Sequence, residues 1–269
     1  MTPTTTSSVG AMLRTWRGRR GISQLELAGR AGSSSRHISF VETGRARPSE
    51  ELLLRLADQL DVPVRERNAL LLAAGYAPRY AQTPLDDPSM RALREGLERL
   101  LTGYEPYPAL VVDATYTVVA ANRGIAMLLE GIPEHLLTPP LNAMRITLHP
   151  EGLARRIHNL DEWRGHLLAQ MGRQIALARS APLRALYEEV AAYPVPDPAP
   201  GRPRPAEPDG AAPYIALPLV IEHDGRLISF ISSIATFNTP MDVTVAELAV
   251  ETLLPADPAT AKYLRSLDY

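Results

Sequence analysis

The sequence predicts two domains of different class, an all-α bundle of five short helices followed by an α+β domain with an antiparallel sheet and flanking helices. Three observations lead there. The 269 residues exceed the usual length of one domain, and a hydrophobic content of 45% suffices for two cores. Up to about residue 80 the apolar side chains recur at helical spacing with no strand pattern, whereas from Pro108 onward a period of two appears. Charge divides nearby: residues 1–75 carry 11 Arg and 7 acidic groups, a net of +4, and the remainder carries −6.

The bundle is punctuated by local signals. Met12, Leu13 and Trp16 give a first helix over Val9–Arg20 that stops at Gly21. Ser23 with Glu26 three residues on makes a capping box for a second, whose apolar face is Leu25, Leu27, Ala28 and Ala31. Ser34 caps a third that runs to about Thr43 and ends at Gly44. Pro48-Ser49 opens a fourth with the stripe Leu52, Leu53, Leu56, Ala57 and Leu60, and a fifth spans Arg65–Ala74. The boundaries read as a flexible tail over 1–8, a bundle over 9–80, a connector helix within 81–104 and a second domain over 105–269.

In the second domain Ala109–Val112 and Thr117–Ala121 read as a hairpin leading to a helix capped by Asn122. Helical patterns fill Pro150–Arg179 and Leu183–Ala192, and the proline-dense stretch Pro194–Pro213 reads as an exposed flexible loop. Strands at Tyr214–Glu222 and Leu227–Thr236 flank Asp224-Gly225, a strong hairpin turn. Helices are expected at Val243–Leu253 and Pro258–Leu267.

Composition excludes much chemistry. Without cysteine there is no disulfide, thiolate metal site or cysteine nucleophile, which suits a reducing compartment. No apolar run approaches the ~20 residues that span a bilayer, and the N-terminus has no export pattern, so a cytoplasmic, non-membrane protein is expected. His149, His158 and His166 with Glu151, Asp161 and Glu162 show no metal-ligand or catalytic spacing, so no enzyme, cofactor or metal is expected. His158 and Glu162, four apart, read as a surface helical pair.

The strongest motif is Ser23-Gln24-x-x-Leu27-Ala28-x-x-Ala31-Gly32 followed by Ser34–Glu42, Gly44 and Pro48, which resembles the Cro/repressor-type helix-turn-helix family over roughly residues 9–62. The resemblance implies double-stranded DNA as partner. Gln24 and Ser34 would touch phosphates, Ser35, Arg36, Ser39 and Phe40 would face base edges, and His37 and Arg45 would lie by the backbone. It also implies a structural pair between Arg17 and Glu42. The alternative from the residues alone is a helical bundle that docks a protein partner.

A wider resemblance covers nearly the whole chain. Leu60-Asp61-Val62-Pro63, Arg67-Asn68 and Gly75-Tyr76-Ala77-Pro78, then Glu105-Pro106-Tyr107-Pro108, Leu148-His149-Pro150-Glu151-Gly152, Asn159-Leu160-x-x-Trp163, Phe237-x-Thr239-Pro240 and Pro255-Ala256-Asp257, are similar to MmyB-like bacterial regulators. One departure is Asn238, where that family usually has Gly. The resemblance implies a PAS-like ligand-binding domain, an apolar and in some members fatty-acid-like effector, and a link to secondary metabolism. The expected pocket wall is Trp163, Leu167, Met171, Leu217, Phe230 and Phe237, with His166 as a polar contact. Helix-turn-helix geometry implies a homodimer. A constitutive binder, whose second domain only dimerises or recruits a protein, remains the alternative.

Overall fold

The computed structural model describes residues 8–178, 180–196 and 216–267. It divides into two compact units, Met1–Thr83 with Asn238–Ala246, and Pro84–Phe237 with Glu247–Tyr269. Most of the expected tail and the proline-dense loop lie outside the described residues.

The first unit follows its local signals closely. Helix α1 (Val9–Arg20) begins at Ser8, whose hydroxyl accepts the Ala11 N–H, and stops at Gly21 with φ 66°. Ser23 and Ser34 cap α2 (Gln24–Arg30) and α3 (Ser35–Glu42) by accepting the N–H groups of Glu26 and His37. Ser49 caps α4 (Glu50–Gln59), and α5 (Val64–Ala73) follows Pro63. Their stripes meet in one core that includes Leu13, Trp16, Leu27, Ile38, Val41 and Leu53, each contributing about 1.5–3 kcal/mol by burial. Leu25, expected on the apolar face of α2, is instead exposed, because α2 turns only Leu27 and Ala28 inward.

The second unit runs α6 (Arg91–Gly103), β1 (Ala109–Val112), β2 (Val118–Ala121), α7 (Ala126–Leu129), α8 (Ala143–Leu148), α9 (Leu160–Ala178), α10 (Ala181–Ala191), β3 (Leu219–His223) and β4 (Arg226–Thr236). After α11 (Val243–Ala246), which belongs to the first unit, come β5 (Ala249–Pro255) and α12 (Pro258–Arg265). The five strands form one antiparallel sheet in the order β2-β1-β5-β4-β3. One face carries Leu110, Val112, Phe230 and Leu253 against α8, α9 and α10, and the other carries Ala109, Val111 and Val250 against Leu97 and Leu101 of α6. The β3–β4 turn is the expected one: Asp224 and Gly225 both have positive φ, 48° and 69°.

Three expectations are corrected. Val243–Leu253 is not a helix: only Val243–Ala246 is helical, and from Ala249 the chain is the central strand β5, paired with β1 and β4 on either side. Partners far away in sequence satisfy that backbone and override local propensity. The Pro150–Arg179 helix is broken, because Ile157 bridges to Ile221 and the His158 N–H donates to Val220 O before α9 starts. His158 therefore faces Glu222, Nε2 to Oε2 3.2 Å, instead of Glu162. Asn122 stands at the N-cap position of a short 3-10 helix, Arg123–Ile125, but its side chain makes no capping bond; its buried amide accepts the Ala109 N–H and donates to the carbonyls of Leu101 and Tyr107. Separately, β3 begins at Leu219, later than the expected Tyr214, which lies outside the described residues.

No helix among the described residues is long and apolar enough to cross a membrane.

Candidate functional site

The outward face of α3 is built from behind. Ile38 and Val41 are buried in the bundle core, which turns Arg36 fully outward and leaves Ser35, His37, Ser39 and Phe40 half-exposed on the same helix. The Arg36 guanidinium lies over the Phe40 ring at 5.3 Å, so the two form one stacked unit on the surface. The Ser34 hydroxyl accepts the His37 N–H at 3.2 Å and keeps its own proton to donate. Arg45 is exposed just past Gly44, where φ is 76°.

A charged network holds α3 in place. Glu42, its side chain 2% exposed, accepts from Arg17 Nε at 2.6 Å, Arg17 Nη2 at 2.9 Å and Gln24 Nε2 at 2.8 Å. Burial alone would raise the Glu42 pKa, but the hydrogen bonds from Arg17 and Gln24 outweigh it and hold the carboxyl below its usual range. The pair is structural, as the resemblance implied. Gln24 is half-buried with its amide engaged on Glu42, so it orients α2 against α3. Two contributions were not foreseen. Gly10 lets α1 approach the end of α3: a Cβ there would lie 2.3 Å from Val41 O. Arg47 donates to Gly75 O at 3.2 Å and stacks on Tyr76, pinning the segment after α5.

In the second unit the structure brings together Trp163, Leu167, Met171 and Phe230, all buried in the main core, with Leu217 packed partly buried against them. His166 points to solvent and stacks on the outer face of Trp163 at 5.7 Å. Phe237 is not with this group. It packs with Leu97, Leu101 and Val250 on the opposite face of the sheet.

Four residues missed in the sequence complete the inner face. The Tyr116 hydroxyl donates to Gln174 of α9 at 2.9 Å, and the Ser232 hydroxyl donates to Glu251 at 2.8 Å. Glu251 was hidden by the expected helix; its placement in the alternating run Val250-Glu251-Thr252 was the available signal.

Among the described residues two groups each bring their ligand-type atoms within 4.8 Å of one another, His135 with His149 and Glu151, and Glu130 with His223 and Asp224. Internal hydrogen bonds account for two of the three imidazoles, and the third, His135, lies edge-on to the His149 ring with Nε2 3.7 Å from Glu151 Oε2. His149 Nδ1 accepts the Glu151 N–H, and His223 is buried between the Tyr263 hydroxyl at 2.6 Å and Glu130 at 3.2 Å.

Comparison with known proteins gives two family matches. A helix-turn-helix domain model matches residues 8–70, and the model of the MmyB-like transcription regulator ligand binding domain matches residues 93–267. No curated protein matches. Among solved structures, the clp gene regulator ClgR from Corynebacterium glutamicum is 29% identical over 39% of this chain and 97% of that one, with a TM-score of 0.23. With the family's ligand-binding domain covering most of its length behind a helix-turn-helix domain, the chain belongs to the MmyB-like transcription regulators and is a DNA-binding regulator.

Proposed function

We propose that this regulator acts as a cytoplasmic homodimer that sets two copies of α3 in successive major grooves about 34 Å apart, under control of a small apolar effector held in the second unit. The observation that carries the DNA part is the outward face of α3, where Arg36 is free to pair with guanine O6 and N7 and Phe40 to meet a thymine methyl. Ser35 and Ser39 flank that pair at the base edges. Ser34, His37 and Arg45 take phosphates, and Gln24 acts mainly by positioning α3. The reading contains no catalytic step. Control from the second unit is supported by the path of the chain: residues Asn238–Ala246 join β4 to β5, yet they cluster with the helical unit.

One observation favours a second reading. Trp163, Leu167, Met171 and Phe230 pack as core, as they would in a domain that only dimerises or recruits a protein. Native mass spectrometry of the purified full chain, followed by operator selection, tests both. A dimer that carries a small apolar adduct and selects a two-half-site operator is the expected result. A monomer without operator preference overturns the proposal, and a ligand-free dimer whose operator affinity no apolar compound alters leaves the second reading.

A further inference from the structure

The register of the sheet defines two rows on its inner face, Leu110–Glu251–Ile234 and Val112–Ala249–Thr236, with Ser232 opposite Leu253 one step along. At the β1 end both rows are covered, Leu110 being only 9% exposed. At the β4 end they are open: Ile234 is 45% exposed and Thr236 is exposed too. Glu251 and Ala249 lie between these limits, half-buried. The face therefore carries a notch with an apolar floor, interrupted by the Glu251 carboxyl and by the hydroxyls of Ser232 and Thr236.

Among the described residues that carboxyl is poorly compensated. Among the described residues its hydrogen-bond partner is Ser232, and no cation acts on it. Burial pushes the Glu251 carboxyl above its usual range, the Ser232 bond opposing only in part. The negative charge is also felt by Tyr116 in the adjoining core, whose phenol is pushed up to about 12, first by burial and then by Glu251. Arg173 acts on Tyr116 in the opposite sense. A carboxyl in an apolar setting without a counter-charge is costly, and a cation brought by a ligand removes the cost through a charge-assisted hydrogen bond.

We infer that this notch binds a small apolar molecule ending in a basic nitrogen, its ammonium against Glu251 and its chain along Ile234 and Ala249. The inference rests on the proposed reading that the second unit holds an effector, and it narrows the head group. A fatty-acid carboxylate in the same notch would set two like charges side by side.

The test is calorimetric titration of the full-length protein with octylamine, octanol and octanoate. Octylamine is expected to bind about tenfold or more tighter than octanoate, and Glu251→Gln to erase that preference. Ile234→Arg, at an exposed position, is expected to abolish octylamine binding, and it serves as the deciding variant if Glu251→Gln loses cooperative melting. Octanoate binding as tightly as octylamine, or an amine preference that survives both variants, overturns the inference and leaves effector sensing intact. Binding of none of the three compounds overturns the sensing reading and the inference with it.

Discussion

Asp242 Oδ2 accepts two hydrogen bonds from Thr83, from its N–H at 3.1 Å and its hydroxyl at 2.7 Å, across 159 positions of sequence. The other carboxylate oxygen takes the Thr244 N–H at 2.8 Å, and the Val243 N–H donates to Ala81 O. These bonds fasten the segment between β4 and β5 into the helical unit. Asp242→Ala should cost about 1–3 kcal/mol and speed amide exchange at Thr83 and Val243, read by hydrogen exchange with mass spectrometry. Unchanged exchange there would show that the segment is held by packing alone.

The same carboxyl predicts a pH dependence. Burial would raise its pKa, but the bonds from Thr83, Thr244 and Val245 win and hold it below the usual carboxylate range. A depressed carboxylate stabilises the fold above the unfolded value and loses that contribution as pH falls through the folded value. Protection of the Val243 amide should therefore fall below about pH 4 in the native protein and be lower but pH-independent in Asp242→Asn. Equal acid sensitivity in the two proteins would assign the effect to another group.

Glu42, its side chain 2% exposed, has Arg17 and Gln24 as hydrogen-bond donors. Arg17→Ala strands a buried charge and should destabilise the bundle by about 3 kcal/mol, whereas the paired replacement Arg17→Met with Glu42→Leu should cost less. Urea unfolding followed by far-ultraviolet circular dichroism distinguishes the two. A double variant weaker than the single would mean the ion pair is a net stabiliser.

Arg36→Ala should lose about 1–3 kcal/mol of specific affinity and relax one base position per half-site, without altering the melting temperature. Arg45→Ala should weaken binding to all sequences alike and flatten the salt dependence by about one counterion. Operator selection at two salt concentrations separates the two signatures. Retained preference at every base after Arg36→Ala would move the reading residue elsewhere on α3.

Gly10→Ala puts a methyl 2.3 Å from Val41 O and 2.7 Å from Glu42 O, so α1 has to retreat from the end of α3. A loss of about 1–3 kcal/mol is expected in thermal unfolding, together with weaker operator binding, since α1 backs the recognition helix. Wild-type melting would show that the helices can separate there at no cost.

What the sequence made legible is what neighbouring residues decide among themselves. Ser23, Ser34 and Ser49 cap helices because each hydroxyl meets an amide three residues away, and Gly21 and Gly44 stop helices because glycine accepts positive φ without strain. The Asp224-Gly225 turn, the buried backing of α3 by Ile38 and Val41, and hence the outward Arg36, follow from the same short-range rules.

What only the tertiary structure decided depends on partners that are distant along the chain. Val243–Leu253 has an acceptable helical pattern, and it becomes a strand from Ala249 because β1 and β4 leave a gap that its backbone fills. That insertion sends Glu251 to the inner face beside Ser232, puts Phe237 on the face opposite Trp163, and draws Asp242 to Thr83. Helix caps and tight turns close their hydrogen bonds within a few residues and so are written locally. Sheet order and the docking of a connecting segment are chosen by non-local pairing and burial.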